Sequence, residues 1–225
     1  MYMMKRTLIN QIVRAALLVP MCLIAFSFVS CSDDDDDDSS DDTVSGKISG
    51  HYYVDLGLSV KWATCNVGAE SPEDYGNYYA WGETETKDEY TSSNSVTYGV
   101  EMDDISGNAE YDAATANWGS SWRMPTYDEM EELVDSCTWT WTTENDVNGY
   151  LVTGPNGNSI FLPAGGFRYG ASLYDAGPYG DYWTSTPVAG LFSLAAYYLS
   201  FGNGWRDVDW DYYRETGHTV RPVTE

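Results

Sequence analysis

Residues Pro125–Thr143 read PTYDEMEELVDSCTWTWTT, and the periodicity changes in the middle of the stretch. Up to Ser136 the apolar side chains Tyr127, Met130, Leu133 and Val134 recur at the spacing of one helix face, with Asp128, Glu129 and Glu132 elsewhere. From Thr138 onward Thr and Trp alternate, which is the period of a strand. The start of the helix is also marked. Pro125 stops what precedes it, Thr126 can cap the helix, and Glu129 three residues later completes a capping box. The acids of the first turn lie where the helix dipole is positive. A capped helix that hands over directly to a strand predicts a mixed fold.

Working outward toward the C-terminus, the pattern stays β. GYLVTGPNGNSIFLPA (Gly149–Ala164) reads as a hairpin with PNGN as its turn between β-branched runs. DYWTST, LAAYYLSF and TVRPV are further strand candidates. Toward the N-terminus, YYVDLGLSVKWATCNV reads as two strands around a Gly57 turn, with Val54 and Leu56 on one side of the first. YGNYYAWGE offers a short aromatic strand, Glu83–Gly107 a long polar surface loop, and EYDAATANWG a second, shorter helix. Antiparallel strands with one or two helices between them and many glycine turns predict a compact α+β domain.

The first 30 residues read differently. Lys5, Arg6 and Arg14 precede the apolar run AALLVPMCLIAFSFVS, which ends in small residues before Cys31. The run contains Pro20 and is short for a bilayer span, which needs about 20 apolar residues. FVSC resembles the lipobox of bacterial lipoproteins, with Phe28 where Leu is commonest; the resemblance implies that Cys31 becomes the lipidated first residue. CSDDDDDDSSDD follows, a block of like charge that can bury nothing and stays solvated. It resembles the Ser/Asp-rich signal that sends Bacteroidetes-type lipoproteins to the outer face of the outer membrane. The expected organisation is a signal peptide at 1–30, an acidic disordered tether at 31–48 and a folded domain at 49–225.

Charge and cysteine content narrow the chemistry. The chain carries 11 basic and 35 acidic residues, a net of −24. Without the three basic residues of the leader the net is −27, and without the eight acids of the tether it is −19. A surface that negative, with no basic cluster, excludes a nucleic-acid partner. Cys22 lies in the leader and Cys31 at the lipidation position, so Cys65 and Cys137 remain, in an exported setting. A Cys65–Cys137 disulfide is expected, and two separate buried thiols are the alternative.

Several segments together resemble one family. YVDLGL, KWATCNVGA, YYAWGE, AATANWG, WRMPT, CTWTWTT, NGYLVTGPNGNSIFLPAGGFR, YWTST and VRPV are similar, in this order, to motifs of the Fibrobacter succinogenes major paralogous domain. The likeness runs from about Tyr52 to Val223 and departs locally at GLSVKW, where the family's turn is longer. It implies a C-type lectin-like fold, in the branch that includes the formylglycine-generating enzymes. It further implies that the first and last strands pair, Tyr52–Leu56 beside His218–Val223, with Gly202–Glu215 on a loop-rich ligand face.

The chemistry of catalysis finds little here. The formylglycine-generating enzymes need reactive cysteines late in the chain, and none follows Cys137. The Glu-Pro-Asn and Trp-Asn-Asp motifs with which sugar-binding C-type lectins chelate calcium are missing. His51 sits at the domain edge and His218 in the last strand, so neither has a base's setting. Glycosidases work with two carboxylates, but no acid here falls in such a constellation.

The candidate ligand segment is WRDVDWDYYR, Trp205–Arg214. If extended, it puts Trp205, Asp207, Asp209, Asp211 and Tyr213 on one side. Arg206, Val208, Trp210, Tyr212 and Arg214 fall on the other. Three stacked carboxylates must stay wet or meet donors, and a strand spreads them too far for a metal. Aromatic area mixed with Arg is what binding hot spots use. Asn203, the Asp residues, Tyr212 and Tyr213 also resemble the variable segment of retroelement-diversified proteins of this fold. The expected function is a surface lipoprotein that binds an extracellular glycan or protein through this segment, with no catalysis, cofactor or metal. The alternative is a structural or tip component of a surface assembly such as an adhesive pilus, and a glycan hydrolase is third.

Overall fold

The computed structural model describes residues 44–190 and 193–225, and of residues 209–212 the backbone only. Cys31 and most of the acidic tether lie outside the described residues. The chain folds into short antiparallel sheets with two helices, a mixed α+β architecture.

One sheet gathers both ends of the domain. Strands β1 (Gly46–Ile48), β2 (His51–Val54) and β3 (Lys61–Ala63) pair in sequence, and β12 (Val223–Thr224) closes the sheet against β3. Two expectations change here. The last strand does not pair with the first: Val223 lies opposite Trp62, and Ala63 donates its N–H to the Pro222 carbonyl, so β3 stands between the two termini. Pairing also begins at Gly46, three residues before the expected domain start, because β1 lies against Tyr53–His51. The remainder of TVRPV forms no regular strand; Pro222 has no N–H to donate and Arg221 turns into the interior.

The helices form as the local chemistry requires. In α2 (Tyr127–Ser136) the Thr126 hydroxyl accepts from the Glu129 N–H while the Glu129 carboxylate accepts from the Thr126 N–H. Met130 and Leu133 are its buried residues. In α1 (Ala113–Trp118) the cap is Asp112, whose Oδ1 accepts from the Ala114 and Thr115 N–H groups.

The hairpin read from the sequence is present as β4 (Thr138–Glu144), β5 (Val147–Thr153) and β6 (Ser159–Pro163), a three-stranded sheet. A small hairpin of β7 (Phe167–Tyr169) and β8 (Ser172–Tyr174) follows. The central sheet has the order β11–β10–β9, from β9 (Tyr179–Pro187), β10 (Ala195–Gly202) and β11 (Trp205–Tyr213).

The core sits on both faces of that central sheet. Tyr182, Leu199 and Phe201 face one cluster with Met130 and Leu133 of α2, Tyr150 and Trp62. Trp183, Ala196 and Tyr198 face another with Trp81, Trp122, Met124 and the alanines of α1. Coverage on both sides is why β9 is buried almost throughout and does not alternate. Trp62, Trp81 and Trp122 are fully buried scaffold residues, each worth about 2–3 kcal/mol or more in transfer terms.

YGNYYAWGE is irregular, not the expected strand. Its aromatics are pulled into the core, and pairing is reduced to single contacts, Tyr79 N–H to His218 O and Trp81 N–H to Arg214 O. The Glu83–Gly107 loop is a loop, pinned where Tyr90, Thr97 and Ile105 turn inward. Cys137 carries a free, buried thiol at the end of α2, so the expected Cys65–Cys137 disulfide is not formed. Its side chain packs into the cluster under α2, where burial pushes the thiol up to about 11.

Candidate functional site: an aromatic hollow at the β10–β11 turn

The segment Trp205–Tyr213 is extended, as expected, and forms the edge strand of the central sheet. Its register against β10 runs Trp205 opposite Gly202, Asp207 opposite Ser200 and Asp209 opposite Tyr198. The register then shifts, since Tyr212 faces Ala196 and the single residue Tyr197 stands where β11 supplies Trp210 and Asp211. A two-sided alternation along the whole strand therefore does not hold.

The side chains of this segment go to different places. Trp205 is 45% exposed and Tyr213 51%, but they sit at opposite ends of the strand, roughly 25 Å apart at strand rise. Tyr213 lies beside Tyr98, ring centroids 6.3 Å apart. Arg206 lays its guanidinium 5.3 Å from the Trp139 ring, on the side of the sheet that α2 covers. Asp207 is exposed next to Ser200, whose hydroxyl donates to the buried Asp181 carboxylate at 2.7 Å. Asp209, Trp210, Asp211 and Tyr212 belong to the edge strand by their backbone; their side chains lie outside the described residues.

Arg214 is a correction. It is 1% exposed and donates to the carbonyls of Ala195, Thr97 and Val100 at 3.0, 3.2 and 2.8 Å, with its guanidinium 4.3 Å from the Trp81 ring. Burial lowers its pKa to about 10. It cross-links the Thr97–Val100 loop to β10 and leaves almost no surface for an outside ligand.

At the other end of β11 the structure assembles a hollow of about 460 Å³. Its walls are Trp141 of β4, Asn148 of β5, Gly177, Pro178 and Tyr179 entering β9, and Asn203 and Trp205 of the β10–β11 turn. Tyr179 and Trp205 flank Gly202 in the pairing of the sheet, their rings 5.8 Å apart and tilted by 50°. Tyr179 is 40% exposed, so each ring keeps an open face.

The hollow is held from below. The Tyr150 hydroxyl donates to Gly202 O and accepts from the Gly204 N–H, both at 3.0 Å, which ties the turn to β5. Gly204 has φ +92°, a conformation that favours glycine, and a Cβ at Gly202 would come within 2.7 Å of the Tyr179 ring and 2.8 Å of Trp205 Nε1. Trp141 packs edge-on to Tyr150 at 5.0 Å. Asn148 accepts from the Thr143 hydroxyl at 2.9 Å and donates to Gly177 O at 3.3 Å. The walls thus come from strands and from two turns tied to them, and aromatic faces with two amides line the space.

Sequence reasoning placed Trp205 in the site and Asn203 within the wider Gly202–Glu215 ligand face, but not Trp141, Asn148 or Tyr179. A local signal exists for two of the walls: GPYG and GNGW each set an aromatic residue beside glycines at a turn. Nothing local marks Trp141 or Asn148, which meet the others only across two sheets. A second hollow, about 630 Å³, lies along the Glu101–Asp104 stretch and the end of β9. There Asp104 is already engaged by the Thr186 hydroxyl and the Ser106 N–H. Among the described residues, no group of three or more His, Cys, Asp or Glu converges as a metal site would require. No protein-family model, no curated protein and no solved structure matches the chain.

Proposed function

We propose that the chain is a surface-anchored binding protein, an outer-membrane lipoprotein held through Cys31 and facing the cell exterior. Its domain, on this reading, is C-type lectin-like, akin to the Fibrobacter succinogenes major paralogous domain, and holds an extracellular ligand without catalysis. The observation that carries the binding role is the hollow at the β10–β11 turn, where Tyr179 and Trp205 keep their faces open beside two amides. Exposed rings on a pinned turn are an expensive use of aromatic surface unless something covers them.

A glycan suits the site. The C–H face of a sugar ring lies flat on an aromatic face, and its hydroxyls match amides that both donate and accept. The test is a glycan array probed with the detergent-solubilised full-length protein and with Trp205→Ala and Tyr179→Ala. Retention should be lost in both variants with melting nearly unchanged; retention by both would sink the reading.

One observation favours a second reading, a structural or tip component of a surface assembly. The other large exposed apolar residues, Val96, Val100, Tyr169, Leu173, Tyr174 and Tyr213, lie away from the hollow, on the loop before Glu101, the β7–β8 hairpin and the far end of β11. Exposed apolar surface of that kind marks protein contacts. A stoichiometric partner that co-purifies with Trp205→Ala but not with Tyr169→Ser would favour this reading.

A further inference from the structure

We propose that the hollow at the β10–β11 turn selects an uncharged saccharide of one or two rings and rejects glycans that carry uronate or sulfate groups. This rests on the glycan reading above and names the class of sugar.

Size sets the first limit. About 460 Å³ is near the lower end of ligand pockets, which run about 300–1,000 Å³, so the hollow takes a chain end or a short stretch and not a long groove-bound polymer. The lining sets the second. No carboxylate and no cationic side chain contributes to it; its polar side-chain groups are the Asn148 and Asn203 amides, the Tyr179 hydroxyl and the indole N–H groups. Amides offer a donor and an acceptor each, the complement of a hydroxyl, whereas a carboxylate or sulfate ester would need a cation or several converging donors.

The cations of the domain are committed elsewhere. Arg214 and Arg221 are buried against carbonyl oxygens. Arg123 pairs with Glu129 and Lys87 with Glu83. Arg206 lies over Trp139, Arg168 over Tyr78 and Lys47 over Tyr52, and Lys61 donates to the Glu225 carbonyl. Carboxylates, by contrast, stand close by. In the sheet row next to Tyr179, Gly202 and Trp205 come Asp181, Ser200 and Asp207, and the Asp207 carboxylate is exposed two residues from Trp205 on the same face. With a net −19 on the chain after Asp42, an anionic sugar meets repulsion at the mouth and no counter-charge inside.

Gly202 sets where the two rings lie. With no side chain there, Tyr179 and Trp205 close down directly over the Gly202 backbone. An alanine would come within 3 Å of both rings and push them out of this arrangement.

The test is calorimetric titration of the detergent-solubilised full-length protein with cello-, xylo- and manno-oligosaccharides, and with oligogalacturonate and a heparin-derived tetrasaccharide. At least one neutral oligosaccharide should bind. Its Kd should change less than about twofold between roughly 0.05 and 0.5 M NaCl, because no ion pair is screened. The acidic sugars should bind at least about tenfold more weakly. Trp205→Ala and Asn203→Ala should each abolish the heat of binding, and Gly202→Ala should weaken it. An acidic sugar bound as tightly as the best neutral one, and lost in Trp205→Ala, would overturn the neutral class while leaving the glycan reading standing. No saccharide bound, or binding indifferent to Trp205→Ala, would overturn both.

Discussion

Arg206 and Arg214 are the same residue type, one near the start of β11 and the other just past its end, and they do opposite things. Arg206 keeps its charge at the surface, over the Trp139 ring, while Arg214 gives its donors to three carbonyls in the interior. Alternation along the strand could not separate them, because the carbonyls that claim Arg214 come from Thr97, Val100 and Ala195, remote in sequence. Arg214→Met should therefore cost roughly 3 kcal/mol of stability through the carbonyls left unpaired, with little direct effect on ligand binding. Urea unfolding at constant protein concentration measures it. Asp181 makes a second prediction at this scale. Burial pushes its pKa from 3.8 up to about 6, against the opposing bond from Ser200 and with a contribution from Asp175. The folded state then holds the proton more tightly than the unfolded chain. That stabilising contribution is complete below about pH 4, declines between pH 4 and 6 and is gone above, a span of about 3 kcal/mol. Asp181→Asn, which can still accept from Ser200, should melt like the wild type at pH 4 and higher at pH 7. Parallel melting curves at both pH values would contradict the assignment.

At the scale of elements, what was legible in the sequence was what local chemistry decides. The capping box of Thr126 and Glu129, the change of period at Cys137 and the Gly149–Ala164 hairpin all depend on neighbours within a few residues, and all are present. YGNYYAWGE was misread as a strand because Tyr79 and Trp81 owe their burial to the core and not to a ladder partner. The hollow was illegible for a related reason: four segments build it, and only the GPYG and GNGW glycines mark any of them. Asp112 shows how much one local residue can join. Its Oδ1 caps α1 while Oδ2 accepts from the Gly107 and Met124 N–H groups, at 2.8 and 2.9 Å. Asp112→Ala should cost 3 kcal/mol or more, at about 1–3 kcal/mol for each buried donor left unpaired, and should lower the hydrogen-exchange protection of α1 before that of α2. Tyr150→Phe removes both bonds that hold the β10–β11 turn. It should weaken saccharide binding several-fold, by roughly 1 kcal/mol, while the domain stays folded.

At the scale of the whole molecule, the mixed architecture and the core tryptophans were readable, but the closing of the terminal sheet was not. Nothing in the strand patterns distinguishes β12 beside β2 from β12 beside β3; the choice follows from Val223 packing opposite Trp62 in a shared core. The surface reading makes its own prediction. Cys31→Ala should abolish lipidation, and replacing Asp33–Asp38 with alanine should leave the protein lipidated but less exposed. Protease shaving of intact cells measures exposure, and a wild-type protein cleaved only after lysis would contradict an outward-facing anchor. The central claim is narrower: ligand is held at the Gly202 end of β11, around Trp205 and Tyr179, and not along the acidic strand to Arg214. It is tested most directly by titrating one neutral oligosaccharide into Trp205→Ala and Tyr213→Ala side by side, each checked by thermal melting. Both residues are exposed aromatics on the same strand, so truncation alone does not distinguish them. Trp205→Ala should lose about 2 kcal/mol or more of binding, roughly thirtyfold, and Tyr213→Ala should bind within about twofold of the wild type. Loss of binding in Tyr213→Ala with Trp205→Ala unaffected would contradict the account.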